Sequence, residues 1–297
     1  MKITLGPLLF FWPRQTVLDF YNAVADCPAF SRVYLGEVVC SKRREIKEKD
    51  WLDIAQKLQD SGKQVSLSSL TLLESTSELK QIRHLCQDSL FEIEANDMAA
   101  VYQLSSQQQS FSTGPSVNIY NGHTLAYLQS IGLKRWVLPV ELSAQHLEKI
   151  LTEADDQGAS EIETEVFSYG YVPLAYSARC FTARNMGVNK DQCQFSCIHN
   201  PSGIPLKTQE AESLLTINGI QTMSGVPIDL RNQWKIMDQK GVQAMRLSAH
   251  SFDIIRMAEQ LADNICSGIT NLLSLEDSCC NGYWFDRSGI EKITEVI

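Results

Sequence analysis

The sequence predicts an α/β fold with a (β/α) barrel-like architecture that carries a cysteine-bearing insertion after a late strand. Three observations point there. Short, apolar, β-rich runs alternate with stretches whose apolar residues recur about every 3.6 positions, the helical period. The early runs start roughly 20 to 30 residues apart, the size of one βα unit. No G-x-G-x-x-G and no G-x-x-x-x-G-K-[ST] stands at any strand-to-helix turn, which disfavours a doubly wound open sheet, the runner-up.

Taken in order, the predicted strands are Lys2–Leu5, Arg32–Leu35, Gln64–Leu67, Phe91–Glu94, Ser116–Ile119, Arg135–Pro139, Glu161–Phe167 and, much later, Ala244–Ser248. The helices between them follow from apolar spacing: Val17, Phe20, Tyr21 and Val24; Trp51, Ile54, Ala55 and Leu58; Leu125, Leu128 and Ile131; Leu147, Ile150 and Leu151. Asp50 and Ser143 read as start signals, and Gly62, Gly132 and Gly158 as stops. The polar run Ser105 to Ser110 reads as a loop. Between Phe167 and about Gly241 the alternation lapses, and that stretch holds four of the nine prolines together with Cys180, Cys193 and Cys197. It reads as an insertion of about 168–240 within one barrel-like domain spanning 1–297.

Composition narrows the function. The chain has 297 residues, 44% hydrophobic and 21% charged, which excludes disordered and fibrous classes. Its 26 basic and 35 acidic residues give a net charge of −9, which argues against a nucleic-acid partner. The opening apolar run is broken by Pro7, Trp12 and Pro13 and lacks a cleavage signature, so it reads as a first strand rather than a signal peptide. No stretch of about 18 apolar residues predicts a membrane span. A cytoplasmic chain keeps its thiols reduced, and clustered cysteines there suggest metal or redox chemistry.

Nine cysteines stand out against this average background. Cys180, Cys193 and Cys197 form a C-x12-C-x3-C run in irregular sequence, where soft thiolates are free to converge on zinc or an iron–sulfur cluster. A fourth ligand follows from fold position. Cys40 comes shortly after the strand Arg32–Leu35, so in a barrel it shares the C-terminal face with the insertion. The vicinal pair Cys279-Cys280 is its competitor. Spacing without C-x2-C knuckles favours a cluster over zinc but leaves both open. The basic run Lys42-Arg43-Arg44 reads either as compensation for thiolate charge or as a solvated face. His199, two residues past Cys197, is a further candidate ligand or hydrogen-bond donor. The carboxylates of Glu161, Glu163 and Glu165 share one strand face, either in the lumen or against a cation such as Arg135. No catalytic residue is assigned, because no H-E-x-x-H, G-x-S-x-G or kinase signature occurs.

The run Phe167-Ser168-Tyr169-Gly170-Tyr171-Val172-Pro173-Leu174-Ala175-Tyr176-Ser177-Ala178-Arg179-Cys180 resembles the signature of the collagenase-like peptidase family. Two positions depart from it: Tyr169 stands where the family has a His, and Pro173 where it has the first Cys. The segments Leu35 to Arg44, Val140 to Ser143, Asn218 to Gly225 and Cys280 to Trp284 are similar to one branch of that family. The resemblance implies a barrel-like fold and a [4Fe-4S] cluster on Cys40, Cys180, Cys193 and Cys197, with Cys40 replacing the thiolate lost at Pro173. It also implies a heterodimer with a homologous iron–sulfur subunit, and oxygen-independent ring hydroxylation of a ubiquinone precursor. A binding or scaffold subunit with a structural cluster or zinc is the alternative; peptidase activity is suggested by the family name alone.

Overall fold

A computed structural model describes residues 1–270 and 278–294. The first part of the chain runs β1 (Lys2–Leu5), α1 (Arg14–Asp26), β2 (Arg32–Leu35), α2 (Glu48–Asp60), β3 (Gln64–Ser68) and α3 (Thr76–Asp88). It continues with β4 (Glu92–Ala95), α4 (Met98–Ser106), β5 (Phe111–Thr113), α5 (Gly122–Ser130), β6 (Leu133–Val137), α6 (Ala144–Asp156) and β7 (Glu163–Gly170). These seven strands and a late one, β13 (Ala244–Leu247), pair in parallel and close on themselves, β6 with β7, β7 with β13 and β13 with β1. The result is the predicted barrel, a closed ring of eight parallel strands surrounded by helices. Its apolar residues pack outward under the helices, as where Val17, Phe20 and Val24 of α1 are buried.

The insertion leaves β7 and forms a second sheet. β8 (Pro173–Tyr176), α7 (Phe181–Asn185), β9 (Ile204–Lys207), β10 (Ser213–Asn218) and β11 (Gln221–Ser224) follow in order. The four strands pair antiparallel in the order β8-β11-β10-β9. β12 (Ile228–Asp229) rejoins the far end of β7, α8 (Trp234–Gln239) leads into β13, and α9 (Asp253–Ser267) packs outside. No helix among the described residues is long and apolar enough to cross a membrane.

Several expected boundaries move. The fifth strand is Phe111–Thr113, not Ser116–Ile119. Val117 and Ile119 are buried with exposed Asn118 between them, so the alternation that suggested a strand is real, but it belongs to a loop past Gly114-Pro115. At Gly114 the chain passes so close to Asn96 that a Cβ would stand 1.9 Å from its Oδ1. Ser105 and Ser106 finish α4 rather than opening a loop. α2 starts at Glu48, and Asp50 is its third residue, accepting from the Lys47 N–H at 3.0 Å and holding Arg14. Ser143 does cap α6, accepting from the His146 N–H at 3.3 Å.

The acidic alternation on β7 splits three ways. Glu165 lies fully buried in the lumen, where Arg246 Nε donates to it at 2.6 Å, as do the Thr4 hydroxyl at 2.6 Å and the Tyr34 hydroxyl at 2.7 Å. Burial pushes its carboxyl up, but the Arg246 guanidinium and these donors outweigh it and leave it below the usual range. Arg246 also meets Glu94 at 2.6 Å and lies 3.9 Å over the Tyr34 ring. Glu163 pairs with Arg135 at the strand's start, and Glu161 precedes the strand and is exposed.

Candidate functional site

Cys40 sits in the β2–α2 loop at the C-terminal face of the barrel. The loop opens at Gly36, whose φ of +131° and a Cβ position 2.6 Å from the Ser68 carbonyl oxygen admit only glycine. The Glu37 carboxylate then accepts from the backbone N–H groups of Val39 at 2.9 Å and Cys40 at 3.0 Å, which curls the chain. Arg43 closes the turn, its N–H donating to the Cys40 carbonyl at 2.9 Å.

Cys180, Cys193 and Cys197 lie between β8 and β9. The Cys180 sulfur caps α7, accepting from the Ala183 N–H at 3.4 Å. Cys193 and Cys197 belong to two short 3₁₀ turns joined through Gln194 and Phe195, both with positive φ, at +46° and +56°. The two loops are tied together. Lys42 donates to the Lys190 carbonyl at 3.2 Å and pairs with Asp191, while Lys190 pairs with Glu74 and donates to the Ala178 carbonyl at 3.2 Å.

The cations of this region face carboxylates, Lys42 with Asp191, Lys190 with Glu74 and Arg43 with Glu37 at 3.9 Å. Arg43 is 5% exposed and donates to the Leu9 carbonyl at 2.8 Å and to Asn218 Oδ1 at 2.7 Å. Its charge also bears on the Cys197 thiol, which in turn feels Cys180. Lys42, raised chiefly by its bond to Asp191, also feels Cys193 and Cys40. Burial pushes the Cys40 and Cys197 thiols up, while Arg43 pulls both back. The expected basic run therefore divides: Lys42 bridges the loops, Arg43 is buried beside a thiol, and Arg44 alone is solvated.

Cys40, Cys180, Cys193 and Cys197 are free thiols. Among the described residues, no three His, Cys, Asp or Glu side chains converge closely enough for a single ion. Cys27 and Cys86 are buried at or within helices, and burial raises Cys86 to about 11. Cys266 is exposed on α9. Cys280 is buried against Pro227, its sulfur 3.7 Å from that carbonyl, and burial raises it to about 12. His199 is exposed at the end of its turn. Tyr169, in the place of the family's His, is fully buried under Arg231, whose guanidinium lies 4.9 Å from the ring centre. A serine and a histidine do meet, Ser143 Oγ and His146 Nδ1 at 2.8 Å, but Ser143 is buried as the cap of α6.

The sequence model of the family described as peptidase family U32 matches residues 14–264. The chain belongs to peptidase family U32. All four candidate ligands fall inside the U32 match, whereas Cys266, Cys279 and Cys280 lie beyond it. Among solved structures, the U32 peptidase Mk0906 is similar at 10% identity and a TM-score of 0.45, covering 84% of this chain and 93% of its own. Dihydropteroate synthase from Thermus thermophilus is similar at 12% identity and a TM-score of 0.36, over 88% of this chain and 94% of its own. The spore cortex-lytic enzyme SleL of Bacillus megaterium is similar at 12% identity and 0.39, over 86% and 73%.

Sequence reasoning missed Arg43 as a buried group and missed the polar residues at the barrel mouth, Glu94, Asn96 and Arg246. The signal for Arg43 was present in its place three residues past Cys40, but a run of three basic residues does not show which one turns inward.

Proposed function

We propose that this U32 protein is a cytoplasmic iron–sulfur subunit of the UbiV branch, with a [4Fe-4S] cluster on Cys40, Cys180, Cys193 and Cys197. With a homologous partner, UbiU, it supports oxygen-independent ring hydroxylation of a ubiquinone precursor. The observation that carries the reading is the joining of the Cys40 loop to the three-cysteine loop through Lys42, which reaches the Lys190 carbonyl and Asp191. The donor set fits: four free thiols are soft ligands, and the buried Arg43 would offset part of the charge that thiolates bring. A cluster binds its ligands at separate corners, so its cysteines stand farther apart than the ligands of one ion. Such a group supplies one-electron transfer when bound. The chain's own part is to hold the loops together through Lys42 and to keep a buried cation, Arg43, against Cys197.

Iron and acid-labile sulfide in anaerobically purified protein test the reading. Matching iron and sulfide, lost together in a Cys197→Ala variant, is the expected result; stoichiometric zinc without sulfide overturns it.

A further inference from the structure

Two neighbouring side chains tie the Cys40 loop to the cysteine insertion, and they run in opposite directions. Lys42 is half-buried and reaches the Cys193 side, through the Lys190 carbonyl and Asp191. Arg43 turns inward, to the two-residue turn that joins β10 to β11. Its Nη2 donates to Asn218 Oδ1 at 2.7 Å and its Nη1 to the Leu9 carbonyl at 2.8 Å. Asn218 Nδ2 donates to that same carbonyl at 2.9 Å, so a guanidinium, an amide and one carbonyl oxygen form a closed triangle. Arg43 and Asn218 are both buried, and solvent does not compete for these bonds.

The other side of the turn is bonded to the residues around Cys180. The Gly219 N–H donates to Thr182 Oγ1 at 3.0 Å, and the Gly219 carbonyl accepts from the Phe181 N–H at 3.0 Å. The Ile220 carbonyl accepts from the Ser177 N–H at 2.9 Å. These three bonds bracket Cys180, which itself caps α7. Gly219 lets the turn lie this close: its φ is +66°, and a Cβ there would stand 3.0 Å from Arg43 Nη2 and 3.7 Å from Val39 Cγ1. Cys40 is thereby connected to Cys180 by a route through the buried residues Arg43, Asn218, Gly219 and Thr182.

The partners separate position from charge. Asn218, the Leu9 carbonyl and Gly219 are neutral, and the Glu37 carboxylate stands off at 3.9 Å. What the junction uses is the planar fork of the guanidinium, two nitrogens at a fixed angle to two acceptors, which an ammonium group does not reproduce. We propose that Arg43 is a positioning residue that holds Cys180 in register with Cys40 through Asn218 and Gly219, independently of the Lys42 tie to the Cys193 side. This deepens the iron–sulfur reading and rests on it for the purpose of the register, since four cysteines must reach separate corners of one cluster.

Iodoacetamide alkylation of the metal-free full chain, followed cysteine by cysteine by mass spectrometry with exposed Cys266 as the rate reference, tests the proposal. Cys180 is buried, so its alkylation waits on local opening. Arg43→Lys keeps the charge, and Gly219→Ala keeps the guanidinium. Each is expected to speed Cys180 at least about tenfold, the size of one lost buried hydrogen bond, while Cys193 stays within about twofold. Lys42→Gln is expected to release Cys193 and leave Cys180 as it is. Cys180 unchanged in a folded Arg43→Lys or Gly219→Ala chain, or released together with Cys193, overturns the proposal. If one variant unfolds by circular dichroism the other decides; if both unfold, the junction is architecture of the whole fold and the proposal falls. Protein with iron and sulfide but no selective release of Cys180 sinks this inference alone; selective release in a chain purified with zinc and no sulfide sinks the cluster reading alone.

Discussion

Arg246 in the barrel lumen and Arg43 beneath the cysteine loop are both buried guanidinium groups, and they are compensated differently. Arg246 is set between the carboxylates of Glu94 and Glu165 and covered by the Tyr34 ring. Arg43 has neutral acceptors, the Leu9 carbonyl and Asn218, with the Glu37 carboxylate 3.9 Å away and the Cys197 sulfur beside it. The lumen therefore contains its opposing charges in folded form. In the cysteine region the cation is in place, while burial favours the protonated thiols. Ionised sulfur, which metal binding requires, would complete that balance. The lumen thus reads as architecture, and the loop as a site prepared for negative charge.

The largest expected effect breaks the lumen. Arg246→Met leaves Glu94 and Glu165 buried without their cation and is expected to cost about 3 to 5 kcal/mol, measured by urea unfolding. A loss below about 1 kcal/mol, the size typical of an exposed ion pair, would show that the lumen charges are not mutually dependent.

A smaller effect follows from pH. The folded Glu165 carboxyl lies below its ordinary value, so its contribution is fully present above the unfolded pKa of about 4.3 and is lost as pH falls through the lower folded value. Urea midpoints measured downward from pH 5 should therefore decline, and Glu165→Gln should flatten the part of that decline that belongs to this residue. An unchanged acid slope in the variant would remove Glu165 from the acid response.

The barrel was legible because its signals are periodic and local: apolar runs at the β period, helices at 3.6, and stops at glycine. Where local pattern and pairing part company, the reading slipped. Ser116 to Ile119 buries alternate residues as a strand does, yet Phe111–Thr113 takes the hydrogen bonds beside β4 and β6. The three-cysteine spacing was visible in sequence, and the closed barrel puts Cys40 on the same face. The Arg246–Glu94 contact was not visible, since the residues belong to β13 and β4 and meet only across the closed lumen. Likewise, nothing in Lys42-Arg43-Arg44 distinguishes the buried middle residue until Leu9 and Asn218 come to meet it.

The smallest stability effect is the sharpest comparison with Arg246. Cys193 is half-buried in a short 3₁₀ connection, and replacing its sulfur with oxygen opens no cavity in the barrel. Cys193→Ser is therefore expected to shift the unfolding free energy of metal-free protein by no more than about 0.5 kcal/mol. On the proposed cluster reading the same variant is expected to lose bound iron, because one of the four proposed thiolate ligands is gone while the loop ties at Lys42 and Lys190 persist. Unfolding measured on the metal-free chain and iron measured on anaerobically purified protein separate the two roles. If the metal-free variant instead loses as much stability as Arg246→Met, the cysteine loop is architecture like the lumen, and the contrast between the two buried cations disappears.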